Sequence, residues 1–486
     1  MSALAELIAG EKLAERSRPW PRALVGRRGW AAAIGMLADG SVSLLGLWGE
    51  ERAAHMALLE EETGGIALFT FECPDGAFPS VSATHAPAMR LERTMRDLFG
   101  LNPKGCPDPR SWLDHGTPYT FFPAAGEGLH QIPVGPVHAG IIEPGHFRFT
   151  VQGETVVRLE QRLGYVHKGI ERLMQGADLV RAAQLAGRTS GDSTVAYALA
   201  FARAAEAALG IDPPARAVWL RALMAELERL ANHLGDIGAI CNDAAFALML
   251  AHCGVLRERI LRAADRCFGH RLMQDRVVPG GVAVDLDAEG AAELRGLVSA
   301  IRERFPLLVD LYDNTASLKD RTVGTGIVKP ELTRLYAPGG FVGRAAGRAF
   351  DARRALGYAP YDELAFEVPV FSRADVNART WIRIREVEQS LTLIDQILDR
   401  LPAGPVRADL APPGEEREGA AVIEGFRGDV LAWLRLGGEG TVLRCHLRDP
   451  SWFQWPLLEA AIEGNIVADF PLCNKSFNCS YSGHDL

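Results

Sequence analysis

The sequence predicts an α+β fold, with a small N-terminal α/β domain followed by a large helical domain flanked by small antiparallel sheets. The 486 residues are enough for about two or three domains. Strand-like and helical patterns alternate up to residue 116, whereas a helical apolar period prevails over residues 171–304. A segment rich in proline and glycine separates the two regions. We therefore predict domains at 1–116 and 136–486, joined by a linker at 117–135.

In the N-terminal domain, residues 30–48 form strand-like apolar pieces around the turn Asp39-Gly40-Ser41. Residues 66–72 are typical of a strand, and residues 88–99 of an amphipathic helix. The apolar face of this helix is predicted to carry Met89, Met95, Leu98 and Phe99, and its charged face Arg90, Glu92, Arg93, Arg96 and Asp97.

The large domain begins with a predicted hairpin whose strands, at 146–151 and 154–159, flank the turn Gln152-Gly153. A return to strands is predicted at 420–446, with a glycine-rich turn at 437–440. Long helices are predicted at 219–234, 244–267 and 379–401.

Composition excludes several classes of function. The net charge is −9 and there is no basic block, so nucleic acid is not an expected partner. No apolar run reaches the roughly 18 residues of a membrane span, and the N-terminus carries no apolar signal core. We expect a cytoplasmic protein that is peripheral to the membrane. None of the eight cysteines forms a C-x-x-C pair, so an iron–sulfur cluster held by this chain alone is not expected.

Two short segments share the spacing of a paired thiolate site but carry almost no sulfur. They are Arg188-Thr189-Ser190-Gly191-Asp192-Ser193 and Asn478-Cys479-Ser480-Tyr481-Ser482. Only Cys479 supplies a thiol, and Ser190, Ser193 and Ser482 stand where the others would be.

Further segments resemble known proteins in one consistent order along the chain. Residues 92–100 and 107–110 resemble the end of the 30 kDa-type subunit of respiratory complex I. The later segments and the two serine motifs resemble the large subunit of group 4 membrane-bound nickel–iron hydrogenases and the 49 kDa-type subunit of complex I. These later segments are 135–138, 143–147, 162–171, 226–233, 279–282, 343–354 and 424–429. The layout resembles the fused large subunits of formate hydrogenlyase-type complexes.

In these relatives nickel and iron are held by four thiolates, because soft sulfur ligands suit both metals. Serine hydroxyls are hard ligands, so we expect no metal here. Ser190, Ser193 and Ser482 either hydrogen-bond within a closed cavity or line a pocket for a small polar ligand or water. Cys479 is expected to be a buried, inert thiol at this pocket.

The resemblance implies an oxidoreductase subunit that is active only within a complex related to NADH:quinone oxidoreductase and group 4 hydrogenases. Electrons would come from a 4Fe–4S cluster on an iron–sulfur small subunit and pass to a quinone or an unknown acceptor. This transfer would be coupled to ion translocation through antiporter-like membrane subunits, and the chain would attach through its partners to the cytoplasmic side of the inner membrane. No cofactor is expected to be held firmly by this chain. The alternative is a redox-silent structural or coupling subunit of an ion-translocating complex.

The resemblance also implies candidate catalytic residues. His138 and His146 would lie at the mouth of a quinone cavity, where an imidazole can donate a hydrogen bond or a proton, and surface or packing histidines are the alternative. Residues 141–144 follow the hydrogenase-like form, which leaves quinone chemistry open. Glu226 and His233 share one face of an apolar helix with Arg229. These three form either a structural ion network or subunit contact, or a proton path.

Two segments are implied to border the old metal site. One contributes Arg344, from a glycine- and arginine-rich loop, for which a solvated or subunit-facing loop is the alternative. The other contributes Glu424 and Arg427, for which a structural salt bridge is the alternative.

Overall fold

The computed structural model describes residues 3–113, 115–116, 118–138 and 142–486. Its N-terminal strands β1, β3, β6, β5 and β4 form one sheet in that order. The strands are β1 (Lys12–Leu13), β2 (Ser17–Arg18), β3 (Arg22–Val25), β4 (Ser43–Glu50), β5 (Ala53–Glu60), β6 (Gly65–Glu72), β7 (Ala77–Pro79) and β8 (Asn102–Lys104), and the helices are α1 (Ala3–Ile8), α2 (Arg27–Asp39) and α3 (Met89–Phe99).

The structure confirms the predicted strand at 66–72, as β6, and the predicted helix at 88–99, as α3. The strand-like prediction for the first part of 30–48 is wrong, because that part lies in α2. The buried residues Trp30, Ala33 and Leu37 recur there at helical spacing, and only the second part forms a strand, β4.

The predicted faces of α3 also need correction. Glu92 and Arg93 are buried, whereas Leu98 is 44 % exposed. Burial is possible because the Glu92 carboxylate accepts hydrogen bonds from the hydroxyls of Ser80 (2.8 Å) and Ser82 (2.5 Å). Buried charged groups are tolerated when they are fully hydrogen-bonded, and a helical wheel does not show such partners.

A three-stranded antiparallel sheet follows, in the order β11, β10, β9. Its strands are β9 (Leu129–Val134), β10 (His146–Gln152) and β11 (Thr155–Arg162). The predicted hairpin is confirmed as β10 and β11. The segment predicted as the linker at 117–135 contains strand β9. The backbone of this strand pairs with β10 from Phe147 to Gln152.

The helical body confirms the predicted long helices, which are α7, α8 and α14. Its elements are α4 (Ile170–Met174), α5 (Leu179–Ala186), α6 (Thr194–Leu209), α7 (Ala215–Asp243), α8 (Ala247–Phe268), β12 (Val277–Val278), β13 (Gly281–Val282), α9 (Ala288–Asn314), α10 (Ala316–Thr322), α11 (Pro330–Tyr336), α12 (Gly340–Ala345), α13 (Ala352–Ala355) and α14 (Val376–Arg400). Helix α7 is central, packing on both α8 and α14. Within the described residues, no helix combines the length and apolarity that a bilayer crossing requires.

The predicted strands at 420–446 are confirmed as an antiparallel meander, which short helices follow. These elements are β14 (Arg417–Gly425), β15 (Gly428–Leu436), β16 (Val442–Arg448), α15 (Ser451–Ala461), α16 (Phe470–Phe477) and α17 (Tyr481–Asp485). Strand β2 pairs in parallel with β14, so the N-terminal region adds a strand to this sheet. Gly419 lets α6 approach β14 closely, because a Cβ there would lie 1.9 Å from the Ala204 carbonyl oxygen.

Candidate functional site

The two serine motifs, far apart in sequence, meet in the structure. Ser190 lies just before α6, and Ser480 caps the start of α17 by accepting a hydrogen bond from the Gly483 amide (2.9 Å). The Ser190 and Ser480 hydroxyl oxygens are 3.0 Å apart. We call the group formed by Ser190, Ser193, Ser480, Asp192 and Arg427 the serine site.

A guanidinium–carboxylate pair fills the serine site. Arg427 donates to both carboxylate oxygens of Asp192 (2.7 and 2.5 Å), to the Ser193 hydroxyl (3.1 Å) and to the Asn478 carbonyl (2.5 Å). The Ser190 hydroxyl donates to Asp192 as well (2.8 Å). Burial by itself would raise the pKa of Asp192, but Arg427 outweighs it and lowers this pKa to about 2. Asp192 is therefore an anion at neutral pH.

The C-terminal motif is arranged differently from the sequence prediction. The Cys479 sulfur lies 4.0 Å from the side-chain oxygen of Gln454, and burial raises the pKa of this thiol above its ordinary value. Ser482 donates its backbone amide to Glu143 (3.1 Å). The residue that faces Ser190 is Ser480, which the sequence prediction missed. No spacing in the sequence favoured Ser480, because the motif's three-residue spacing pairs Cys479 with Ser482.

These residues do not fit a nickel–iron centre. The groups that meet are hydroxyls, one carboxylate and one guanidinium, and a guanidinium cannot ligate a cation. In the part of the chain that the structure describes, no three His, Cys, Asp or Glu side chains cluster in a way that could hold a metal ion.

A second group of polar residues, which we call the ion cluster, joins α7, α12, α14 and β14. Four of the predicted site residues belong to it, although the sequence suggested only that Glu226 and His233 share a face. All of its members are buried. They are Glu226, Arg229, His233, Arg344, Asp351, Arg353, Glu386 and Glu424.

Glu386 is at the centre of the ion cluster, beside His233 and Arg344. The sequence prediction missed it, because the sequence of its helix shows an amphipathic pattern and no partner for this carboxylate. One of its oxygens lies 2.7 Å from His233 Nε2, and the other accepts from Arg344 Nε (2.8 Å). Arg344 donates in turn to Glu424 (2.8 Å). Glu226 accepts from Arg353 (2.8 Å) at the other end of the cluster.

One proton decides the net charge of the ion cluster. Four carboxylates face three guanidiniums and one imidazole. Burial and the nearby Asp351 raise the pKa of Glu424 to about 7, despite Arg344. Burial lowers the pKa of His233, although Glu386 opposes this effect. Glu424 is therefore the member of the cluster whose protonation changes near neutral pH.

The turn between β14 and β15 connects the ion cluster to the serine site. Glu424 stands at the start of this turn and Arg427 at its end, in opposite groups. Arg229 fixes the turn by donating to the carbonyls of Glu424 (2.8 Å) and Gly425 (3.0 Å). A displacement of Glu424 in the ion cluster can therefore move Arg427 in the serine site, because only Gly425 and Phe426 separate the two residues.

The two predicted histidines lie apart from both groups. His146 Nδ1 lies 3.2 Å from the Gly135 carbonyl oxygen, and the His138 ring packs edge-on against Phe147 at 5.6 Å. Glu143, between them in sequence, connects their loop to the C-terminal segment through Ser482. Ile141, the first residue of the hydrogenase-like form, lies outside the described residues.

Two cavities bear on what the chain can bind. A cavity of about 20 Å³ reaches Asp192 and has room for about one water. A much larger one, about 1390 Å³, lies between the N-terminal sheet and the region of α4 and β16, and its lining includes Trp48, His446 and Asp485. A molecule larger than water therefore has space in the large cavity, next to Asp485 and Leu486 at the C-terminus, and not in the serine site itself.

Comparison with known proteins specifies the class and the family to which this fold and its paired motifs belong. A family described as "Respiratory-chain NADH dehydrogenase, 49 Kd subunit" matches residues 243–415. Formate hydrogenlyase subunit 5 of Escherichia coli (strain K12) is 32% identical over 438 residues, which cover 84% of this chain and 77% of that protein. The carbon monoxide-induced hydrogenase of Rhodospirillum rubrum is 31% identical over 353 residues, which cover 72% of this chain and 97% of that protein.

An NADH-quinone oxidoreductase subunit of Syntrophobacter fumaroxidans is 32% identical over 357 residues, which cover 72% of this chain and 95% of that protein. The chain therefore belongs to the family formed by group 4 nickel–iron hydrogenase large subunits and complex I 49 kDa-type subunits. These relatives are parts of multi-subunit complexes, which confirms the predicted family and oxidoreductase class.

Proposed function

We propose that this chain is the large subunit of a membrane-associated oxidoreductase complex that transfers electrons to a quinone or another small acceptor and forms no hydrogen. The electrons would come from a 4Fe–4S cluster on a partner subunit, and antiporter-like subunits would translocate ions. The observation that carries this proposal is the serine site, in which Arg427 and Asp192 fill the place between the two motifs. The ion cluster supports coupling, since it holds an exchangeable proton next to this site.

In this proposal, the histidines near the C-terminal segment would orient the acceptor. The imidazole of His146 is buried and accepts from Arg148 Nε at 3.3 Å. A quinone carbonyl that replaced Arg148 as its partner would receive a hydrogen bond when the ring is protonated at that nitrogen. The neighbouring His138 has a buried Nε2 for which the described residues provide no hydrogen-bond partner.

The complex purified from membranes is expected to contain far less than one nickel per chain and to reduce viologen dyes with hydrogen at no detectable rate. The reason is that hydroxyl oxygens and a guanidinium replace the soft ligands that nickel needs. Metal analysis by mass spectrometry, with an active nickel–iron hydrogenase as the positive control, measures this. Stoichiometric nickel together with hydrogen-dependent dye reduction would refute the proposal.

A short-chain quinone analogue is expected to shift the EPR signal of the partner's cluster in the intact complex. Replacing His146 by leucine, which has no hydrogen-bond donor, should weaken the apparent affinity about tenfold, the effect of losing roughly one hydrogen bond. His130→Leu is the matched control, because His130 is exposed on β9 of the same sheet. An EPR signal that no concentration of analogue alters would contradict electron transfer to quinone.

A redox-silent coupling subunit is the second candidate, and one observation favours it. The cavity that reaches the serine site accommodates about one water and no ring compound. In this case the chain would transmit a conformational or charge change through the turn between Glu424 and Arg427. The same EPR experiment separates the two candidates, since a silent subunit leaves the signal unchanged while ion translocation persists.

A further inference from the structure

Glu228 is a buried carboxyl group that neither the motifs nor the proposed electron transfer uses. It lies on α7 and is 7 % exposed. Its two oxygens accept from the backbone amides of Val195 (2.7 Å) and Ala196 (3.0 Å), in the first turn of α6 directly after Ser193. Within the residues that the structure describes, no cationic side chain forms an ion pair with it.

The contrast with Glu226, two residues earlier on the same helix, shows what is unusual about Glu228. Glu226 points into the ion cluster, where Arg353, the Tyr361 hydroxyl (2.8 Å) and the Ser390 hydroxyl (2.7 Å) stabilise its anion. Burial alone would raise the pKa of Glu226, but the neighbouring arginines lower it overall. One helix thus carries a paired and an unpaired carboxyl group on different sides.

Without a cation, burial dominates the behaviour of Glu228. It raises the pKa of Glu228 to about 8, and the two amide hydrogen bonds reduce this shift only in part. The charge of Asp192 adds to the increase, and Arg229 on the same helix opposes it. The carboxyl group is therefore protonated at neutral pH, so that it can donate a hydrogen bond.

The water-sized cavity lies between Glu228 and the serine site. Its lining includes Gly191, Asp192, Glu228 on α7, and the charged residues Arg257 and Arg271. Asn232 links the two segments that border the cavity. Its side-chain amide donates to the backbone carbonyl of Asp192 (2.7 Å) and to the backbone carbonyl of Glu228 (2.9 Å). Asp192, Glu228 and Asn232 in this lining are polar partners of the kind that a bound water requires.

We propose that Glu228 holds a proton beside the serine site and exchanges it through this cavity when the acceptor is reduced. In the forward step the O–H bond of the Glu228 carboxyl group breaks, its proton passes to the cavity water, and a proton of that water forms the new bond to the reduced acceptor, while Asp192 stays ionised beside Arg427. Electrons come from the partner's cluster, and a proton from solvent restores the Glu228 O–H bond. The exchange rests on the proposed function, whereas the protonated state of Glu228 does not.

Infrared spectroscopy of the intact complex tests the protonated state. We expect a carboxylic-acid C=O band at pH 7 that shifts in D2O and disappears as the pH rises through about 8. The E228Q variant should lack this band, whereas E424Q should keep it and lose the band that titrates near pH 7. A spectrum of E228Q identical to that of the native complex, or no titrating band in the native complex near pH 8, would overturn the proposal.

The turnover of the complex tests the exchange. A positioned proton donor typically contributes about 10²–10⁴-fold to a rate, so the rate of acceptor reduction should be at least about tenfold lower in E228Q than in the native complex. The change of this rate with pH near pH 8 should also be absent in E228Q. The midpoint potential of the partner's cluster should not change. Native turnover and an unchanged profile in E228Q would disprove the exchange. If the complex reduces no acceptor at all, the proposed function fails while the infrared result still decides the state of Glu228.

Discussion

Replacing Arg344 by alanine is expected to lower the free energy of unfolding by about 3–5 kcal/mol, because it leaves buried carboxylates without their cation. Arg344 is fully buried, donates to Glu386 and Glu424, and also lies 3.5 Å from Asp351. Removing one member of such a network exposes the remaining charges to the full cost of burial. Urea unfolding followed by tryptophan fluorescence measures the change.

Arg295→Ala is the matched control for this experiment. Arg295 also forms an ion pair with a carboxylate, Asp399, but the side chains of the pair are 45% and 64% exposed. Exposed pairs contribute about 1 kcal/mol or less, so this variant should unfold almost like the native chain. An Arg344→Ala variant as stable as Arg295→Ala would show that the ion cluster does not hold the helical body together.

Replacing Glu424 by glutamine is expected to remove a pH dependence of stability worth about 3 kcal/mol between pH 4.5 and 7. The pKa of Glu424 rises from its ordinary 4.5 to about 7 in the folded chain. Between these values the unfolded chain releases the proton and the folded chain keeps it, so the native fold loses stability as the pH rises. Below 4.5 and above 7 this group contributes no slope.

The difference in unfolding free energy between the native chain and E424Q isolates this contribution from that of the histidines. The difference should change in favour of E424Q from pH 4.5 to 7 and stay constant above it. Glu363→Gln, at a carboxylate that is 58% exposed, should give a constant difference over the same range. A constant difference for E424Q too would mean that Glu424 is ionised throughout, as its contact with Arg344 alone would suggest.

Both predictions concern coupling as well as stability. Glu424 and Arg427 are the two ends of one turn, so a proton added to the ion cluster is expected to alter the serine site. Arg344 keeps Glu424 beside Glu386, which places the exchangeable proton at the turn. The experiments on Glu424, on β14, and on Glu228, on α7, therefore examine the two protonatable carboxyl groups that adjoin the serine site.

Local sequence was sufficient for elements whose burial follows their period. The strand at 66–72 was predicted from a short apolar run, which is buried on both faces of the sheet, and the hairpin after His146 from the alternation of its side chains. Helix α2 was missed, since the small residues around Trp30 suit either structure. Strand β9 was missed because its segment contains proline and glycine, while its pairing partner lies further along the chain.

The sequence by itself determined the family, through the order of its segments, and the loss of sulfur from the two motifs. Only the tertiary structure decided that Ser480, rather than Cys479, faces Ser190, because that depends on how α17 begins and where its first side chain points. Only the structure shows that Glu386 lies among arginines, whereas no arginine in the described part of the chain forms an ion pair with Glu228. The charge state of a carboxyl group depends on partners that are distant in sequence, and folding alone brings them within reach.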